Sequence, residues 1–193
     1  MKKLLITGFE PFNKESINPS WGAVSRLPET IGEYVLTKLC IPVLFEKSAE
    51  ILIKTAEELS PDVILCIGQA GGRDAITPEM VAINLRYASI PDNQGNQPKD
   101  EPIIQNGENA YFSTIPVRKI AETIHTGGVP SKVSYSAGTY VCNDVLYSLL
   151  AHFKDSQTRV GFIHIPYCTE QNKQPSMALS DVIKGLTIAI ENM

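Results

Sequence analysis

The sequence predicts an α/β fold of three layers, α/β/α: an open, mostly parallel, twisted sheet with helices on both faces. Two observations predict it. Short apolar, β-branched runs alternate with amphipathic stretches along the whole chain, which is the rhythm of strands and their covering helices. Several of those runs are almost continuously apolar, as strands buried on both faces are. With 193 residues, 43% of them hydrophobic, we expect residues 1–193 to form a single domain with room for a multi-strand core.

The first strand runs from Lys3 to Thr7. Its apolar run stops at Thr7-Gly8 and Glu10 follows, so it is too short for the apolar centre of a secretory signal. A helix is expected over Trp21 to Leu27, then strands over Val35 to Val43 and Asp62 to Ile67 with the helix Ser48 to Leu59 between them. A pair of strands is expected around Met80 to Tyr87. The stretch Ser89 to Glu108 is polar and rich in turn formers, so it reads as a long loop or short irregular hairpin, and loops of that length often carry function. Then come a helix over Val117 to His125, a strand over Lys132 to Tyr135, a helix over Asn143 to Phe153, a strand over Arg159 to Ile165 stopped by Pro166, and a helix over Met177 to Asn192. Each helix has apolar residues at three- and four-residue spacing.

Composition excludes several function classes. The net charge is −4, and the 17 Lys and Arg residues are scattered, so there is no basic stripe for phosphate tracking and nucleic acid is not an expected partner. No apolar stretch approaches the ~20 residues that span a bilayer. Cys40, Cys66, Cys142 and Cys168 form no C-x-x-C pair and no zinc-like spacing with histidine, so we expect no metal and free thiols in a reducing compartment. Cys40 and Cys66 lie inside apolar runs, where a small buried hydrophobe is expected.

In an open parallel sheet, ligands bind beyond the carboxyl ends of the strands. Four such ends are distinctive here: Thr7-Gly-Phe-Glu-Pro-Phe12, Gly68-Gln-Ala-Gly-Gly-Arg73, Ser136-Ala-Gly-Thr-Tyr-Val-Cys142, and His164 before Pro166. Cys142 precedes a helical pattern, where unpaired N–H groups and the positive dipole end favour a thiolate. The residues alone leave open whether it is a nucleophile or a cysteine packed in a first turn. A cysteine nucleophile needs a histidine base. His125 ends a helix and His152 lies about 15 Å of rise along the Cys142 helix, so His164 is the geometric choice. Glu79, entering the apolar run Met80 to Leu85, could accept from the imidazole, and by spacing Asp74 or Asp144 could do so equally. Phe9 and Phe12 could fill the core or wall a small apolar slot. The glycine-rich segment lacks the Gly-Lys-Ser/Thr of a P-loop, and neither G-x-S-x-G nor H-E-x-x-H occurs.

Taken in order, Thr7–Phe12, Asn18-Pro-Ser20, Gly68–Arg73, Ile76-Thr-Pro-Glu-Met-Val-Ala-Ile-Asn84, Ile90-Pro-Asp-Asn-Gln-Gly-Asn-Gln-Pro98, Ala137-Gly-Thr-Tyr-Val-Cys-Asn143 and Phe162-Ile-His-Ile-Pro-Tyr167 resemble the type I pyroglutamyl peptidases, or pyrrolidone carboxyl peptidases, over nearly the whole chain. The resemblance implies a cysteine exopeptidase with Cys142, His164 and Glu79 as its triad. It also implies Phe9 and Phe12 as the apolar pocket, Gln69 as a polar contact to the lactam, and Asn18 as a supporting residue. A pyroglutamyl-peptide substrate, a cytoplasmic location, a homotetramer and no cofactor follow from the same resemblance. Two positions depart from the family pattern. Ser89 stands where an arginine associated with the oxyanion is usual, and Met80 where an arginine commonly follows the Glu. A catalytically weakened pyroglutamyl-peptide-binding homologue is the alternative reading. A phosphate-using nucleosidase would rest on Arg73 alone.

Overall fold

Leu4 and Ile6 project from the first strand into one apolar cluster, and Leu5 and Phe9 into another. The same division recurs in two further strands: Val63, Leu65 and Ile67 against Ile64 and Cys66, then Ile163 and Ile165 against Val160 and Phe162. Side chains on a strand alternate between faces, so a sheet apolar on both needs a covering layer on each. In the computed structural model, which describes residues 1–193, helices supply both layers.

The chain runs β1 (Lys2–Phe9), α1 (Pro19–Val24), β2 (Thr30–Ile31), β3 (Tyr34–Ile41), α2 (Lys47–Leu59), β4 (Val63–Gln69), β5 (Thr77–Pro78), β6 (Val81–Ile83), β7 (Ala110–Phe112), α3 (Val117–Thr126), α4 (Val141–His152), β8 (Arg159–Ile165), β9 (Tyr167–Cys168), β10 (Ser176–Met177) and α5 (Leu179–Glu191). The main sheet has the order β2-β3-β1-β4-β8-β5. Its four central strands are parallel, and short antiparallel strands edge it on both sides. Residues from α1, α3 and α5 fill one cluster, and residues from α2 and α4 fill the other. The three-layer α/β expectation holds. No helix is long and apolar enough to cross a membrane.

Three local expectations change. The strand expected over Lys132 to Tyr135 is absent; only the isolated bridges Ile76 to Ser131 and Glu79 to Ser134 form there, because the short β5 segment offers little ladder to extend. Of the pair around Met80 to Tyr87, only Val81–Ile83 is a strand, and it pairs with β7 in a separate two-stranded ribbon. Cys40 is exposed. It sits near the end of β3, whose outer side is paired by β2 only at Tyr34 and Val35, so the far half of β3 is a sheet edge. Cys66, by contrast, is fully buried.

Candidate active site

The carboxyl ends of β1, β4 and β8 lie side by side, in the register Thr7 to Cys66 and Gly68 to His164. Cys142 belongs to the first turn of α4, on the face of the sheet that also receives Cys66, Phe162 and Phe9. It is brought close by an absence: a Cβ on Gly68 would stand 3.0 Å from Cys142 Sγ and 2.7 Å from Phe162 Cζ, so only glycine leaves the thiol its place. His164 is two residues beyond Phe162 on the same strand, with ring centroids 4.7 Å apart.

Glu79 follows β5, which lies antiparallel to β8 with Thr77 opposite His164. Its carboxylate has no exposed surface, and Oε1 accepts from His164 Nδ1 at 2.7 Å. The same oxygen accepts from Arg73 Nη1 at 2.6 Å, while Arg73 Nη2 donates to the Ser136 carbonyl at 3.1 Å. Glu79 Oε2 is buried without a hydrogen-bond partner. The other acidic candidates are engaged elsewhere: Asp74 pairs with Lys132 at 2.8 Å on the surface, and Asp144 with Arg86 at 2.6 Å. His152 meets Glu57 on an exposed face.

Burial favours the neutral acid at Glu79, but the hydrogen bond and charge of His164, the nearby Ser134 hydroxyl and the Arg73 charge outweigh it and hold the carboxyl below its ordinary 4.5. Burial, aided by the Arg73 charge, keeps His164 below 6.5 despite Glu79. The helix start that favours a thiolate at Cys142 is opposed by burial. Although the side chain is only half-buried, its surroundings are apolar rings and a carboxylate. Burial first, then Glu79 and Cys66, push the thiol up to about 12 against the helix terminus and Arg73. Both shifts favour the uncharged forms, thiol and imidazole, and no hydrogen bond joins Sγ to His164.

Cys142 also lines a narrow slot of about 40 Å³ with Phe9, Phe12, Asn18, Val43, Gln69, Tyr140 and Val141. A water-sized group needs roughly 10–15 Å³ of such space, so the slot suits a few ring atoms and no long side chain. Asn18 caps α1: Oδ1 accepts from Ser20 N at 3.0 Å, and Nδ2 donates to the Glu10 carbonyl at 3.0 Å. It fixes the loop carrying Phe12. Tyr140, which the sequence motif contains without assigning it a role, donates its hydroxyl to the Pro91 carbonyl at 2.9 Å and ties the long loop to the slot. Ser89, in that loop, is exposed.

A family model for pyroglutamyl peptidases matches residues 2–193. The chain belongs to the pyroglutamyl peptidase family. It is similar to the pyrrolidone-carboxylate peptidase of Brachyspira hyodysenteriae, 48% identical over 195 residues that cover 98% of this chain and 97% of that protein. Among solved structures it is similar to pyroglutamyl peptidase I of Bacillus amyloliquefaciens, with TM-score 0.96, 46% identity, and coverage of 100% of this chain and 96% of that one. Pyrrolidone carboxyl peptidase from Thermococcus litoralis superposes with TM-score 0.95 at 38% identity, covering 99% and 92%. This pyroglutamyl peptidase family member is thus an enzyme of a cysteine peptidase family.

Arg73 is the residue at the site that sequence reasoning undervalued. Its signal was the glycine-rich turn after β4, which can aim one long side chain back across the sheet edge.

Proposed function

We propose that this enzyme hydrolyses the amide bond after an N-terminal pyroglutamyl residue, with Cys142 as nucleophile, His164 as general base and acid, and Glu79 as the group that orients the imidazole. The observation that carries the reading is that Cys142 lies in the wall of the same narrow, mostly apolar slot as Phe9, Phe12 and Gln69. A pyroglutamyl ring is small, flat and uncharged. An ordinary N-terminal residue would bring an ammonium, and that slot has no carboxylate to pair with it.

Because Glu79 accepts from Nδ1, the proton-transferring nitrogen of His164 is Nε2, which makes no hydrogen bond within the protein. As Sγ bonds to the substrate carbonyl carbon, its proton passes to Nε2. The tetrahedral oxyanion is met by the first-turn N–H groups of α4, which no side chain caps. The C–N bond then breaks and Nε2 returns the proton to the departing amine. Water, deprotonated by the same nitrogen, hydrolyses the thioester, releasing pyroglutamate and restoring the thiol. On the family resemblance, together with the unpaired cysteines, we also propose a cytoplasmic homotetramer.

The test is release of a fluorescent amine from a pyroglutamyl amide, beside the prolyl amide, by the native protein and Cys142→Ala under reducing conditions. Cleavage of the pyroglutamyl substrate alone, lost in the variant, is the expected result. No cleavage by folded native protein would favour a binding role instead.

A further inference from the structure

A backbone N–H can only donate. Where the Gln171 side chain meets the N–H of Cys168 at 3.0 Å, the facing atom is therefore its oxygen, Oε1. The other end of that amide, Nε2, then faces Gln69 at 2.9 Å, and the Gln69 atom that receives it is Oε1. One main-chain donor thus fixes two side-chain amides in succession, with neither left to a choice of flip. Gln69 has its carbonyl engaged outside the slot, and its NH₂ group makes no hydrogen bond within the protein. Gln171 is positioned for this by its own local structure: it closes the 3-10 turn Thr169–Gln171 that follows β9, in a reciprocal cap with Cys168.

We propose that Gln171 is a positioning residue that sets the polarity of Gln69, so that the slot presents a donor to its ligand and the feature it selects is the ring's lactam carbonyl. The inference rests on the pyroglutamyl reading above and deepens it. A rotating amide would offer donor and acceptor alternately, and an acceptor facing a carbonyl is repulsive. A Gln69 held NH₂-inward pays no such cost and discriminates against a ring with a methylene in the carbonyl's place, which leaves the donor unpaired.

Gln171→Leu and Gln171→Glu separate positioning from mere support. Leucine keeps the bulk and removes the donor, freeing the Gln69 amide. A carboxylate still accepts from the Cys168 N–H, but it also draws the Gln69 NH₂ group toward itself and turns the Gln69 carbonyl into the slot. Steady-state kinetics at pH 7.5 would use a pyroglutamyl coumarin amide and the cyclopentanecarbonyl coumarin amide, a neutral ring of similar size without the lactam. We expect KM for the pyroglutamyl substrate to rise about 3- to 10-fold in Gln171→Leu and further in Gln171→Glu, with kcat falling less than KM rises. The ratio of kcat/KM for the pyroglutamyl over the carbocyclic substrate should fall in the same order. A Gln171→Glu variant no worse than Gln171→Leu, or an equal loss on both substrates accompanied by slower iodoacetamide labelling of Cys142, overturns the inference alone. A native protein with no pyroglutamyl turnover overturns the function reading and this inference with it.

Discussion

Arg73 Nη1 stands 2.6 Å from Oε1 of Glu79, a carboxylate with no exposed surface of its own. Because His164 donates to the same oxygen, the cation and the imidazole share one acceptor, and the Arg73 charge acts on both titrations: it lowers Glu79 and it lowers His164. Arg73→Met should therefore raise the His164 pKa and move the acidic limb of the kcat/KM profile to higher pH, since the base must be neutral to accept the thiol proton. The plateau should fall about 10- to 100-fold, as for a lost charge-assisted hydrogen bond worth about 1.5–3 kcal/mol. A pH-rate profile checks both, and a plateau loss with an unmoved limb would reduce Arg73 to a structural strut.

Alkylation of Cys142 reads the resting state of the pair. A preformed thiolate-imidazolium pair would label at a constant rate across neutral pH. With the thiol pushed up to about 12, labelling by iodoacetamide should instead climb through pH 9 without levelling. Rate against pH, with Cys142→Ala as the blank, decides between them.

The parts of this molecule that were legible in sequence are those fixed by short-range pattern. Strands β1, β4 and β8 announced themselves as continuous apolar runs, and His164 was placed by the proline that ends its strand. The Lys132 to Tyr135 stretch has the composition of a strand but lacks a long neighbour to pair with, which no local pattern records. Cys142 was legible as a helix-start residue. The rise of its thiol pKa was not, because the burial and the Glu79 charge behind it come from segments far away in the chain. Gln171 was missed for the same reason: its importance lies in a contact with Gln69, 102 residues earlier.

Ser89 is exposed and makes no side-chain hydrogen bond, so Ser89→Arg should change stability by less than about 0.5 kcal/mol. If a cation there reaches the developing oxyanion, as the family pattern implies, kcat should rise by roughly 10-fold or more with KM little altered. Steady-state kinetics on the pyroglutamyl amide tests this, and an unchanged kcat would leave the α4 N–H groups as sufficient.

Arg86 is not free to replace the missing arginine. Its Nε donates to Asp144 Oδ1 at 2.6 Å and Nη1 to Glu46 at 2.7 Å, and Asp144 lies two residues after Cys142, about 200° around the helix from it. Arg86→Met should leave kcat for folded enzyme near the native value while costing about 3–5 kcal/mol of stability at neutral pH, because Asp144 stays buried without its partner. Burial already raises the Asp144 carboxyl against the pull of Arg86. A carboxyl raised in the folded state binds protons preferentially there, so the variant's deficit should shrink as pH falls from 7 toward 5. Urea melts at two pH values measure it.

Gly68→Ala is the sharpest test of how the thiol is seated. The added methyl would lie 2.7 Å from Phe162 Cζ and 3.0 Å from Cys142 Sγ, and neither neighbour can retreat easily: Phe162 is fully buried, and Cys142 is anchored by the backbone of α4. The strain of overpacking should cost about 1–3 kcal/mol in stability, which a folded chain of this size survives. The relief available is rotation of the thiol away from the sheet, and a displacement of about 1 Å at a nucleophile can cost roughly 100-fold in rate. The expected result is a folded protein with kcat reduced at least that far and iodoacetamide labelling altered in parallel. Native kcat in Gly68→Ala would mean that the thiol reacts from a rotamer directed away from Gly68, and the approach of His164 Nε2 would then have to be rebuilt from the opposite side of the slot.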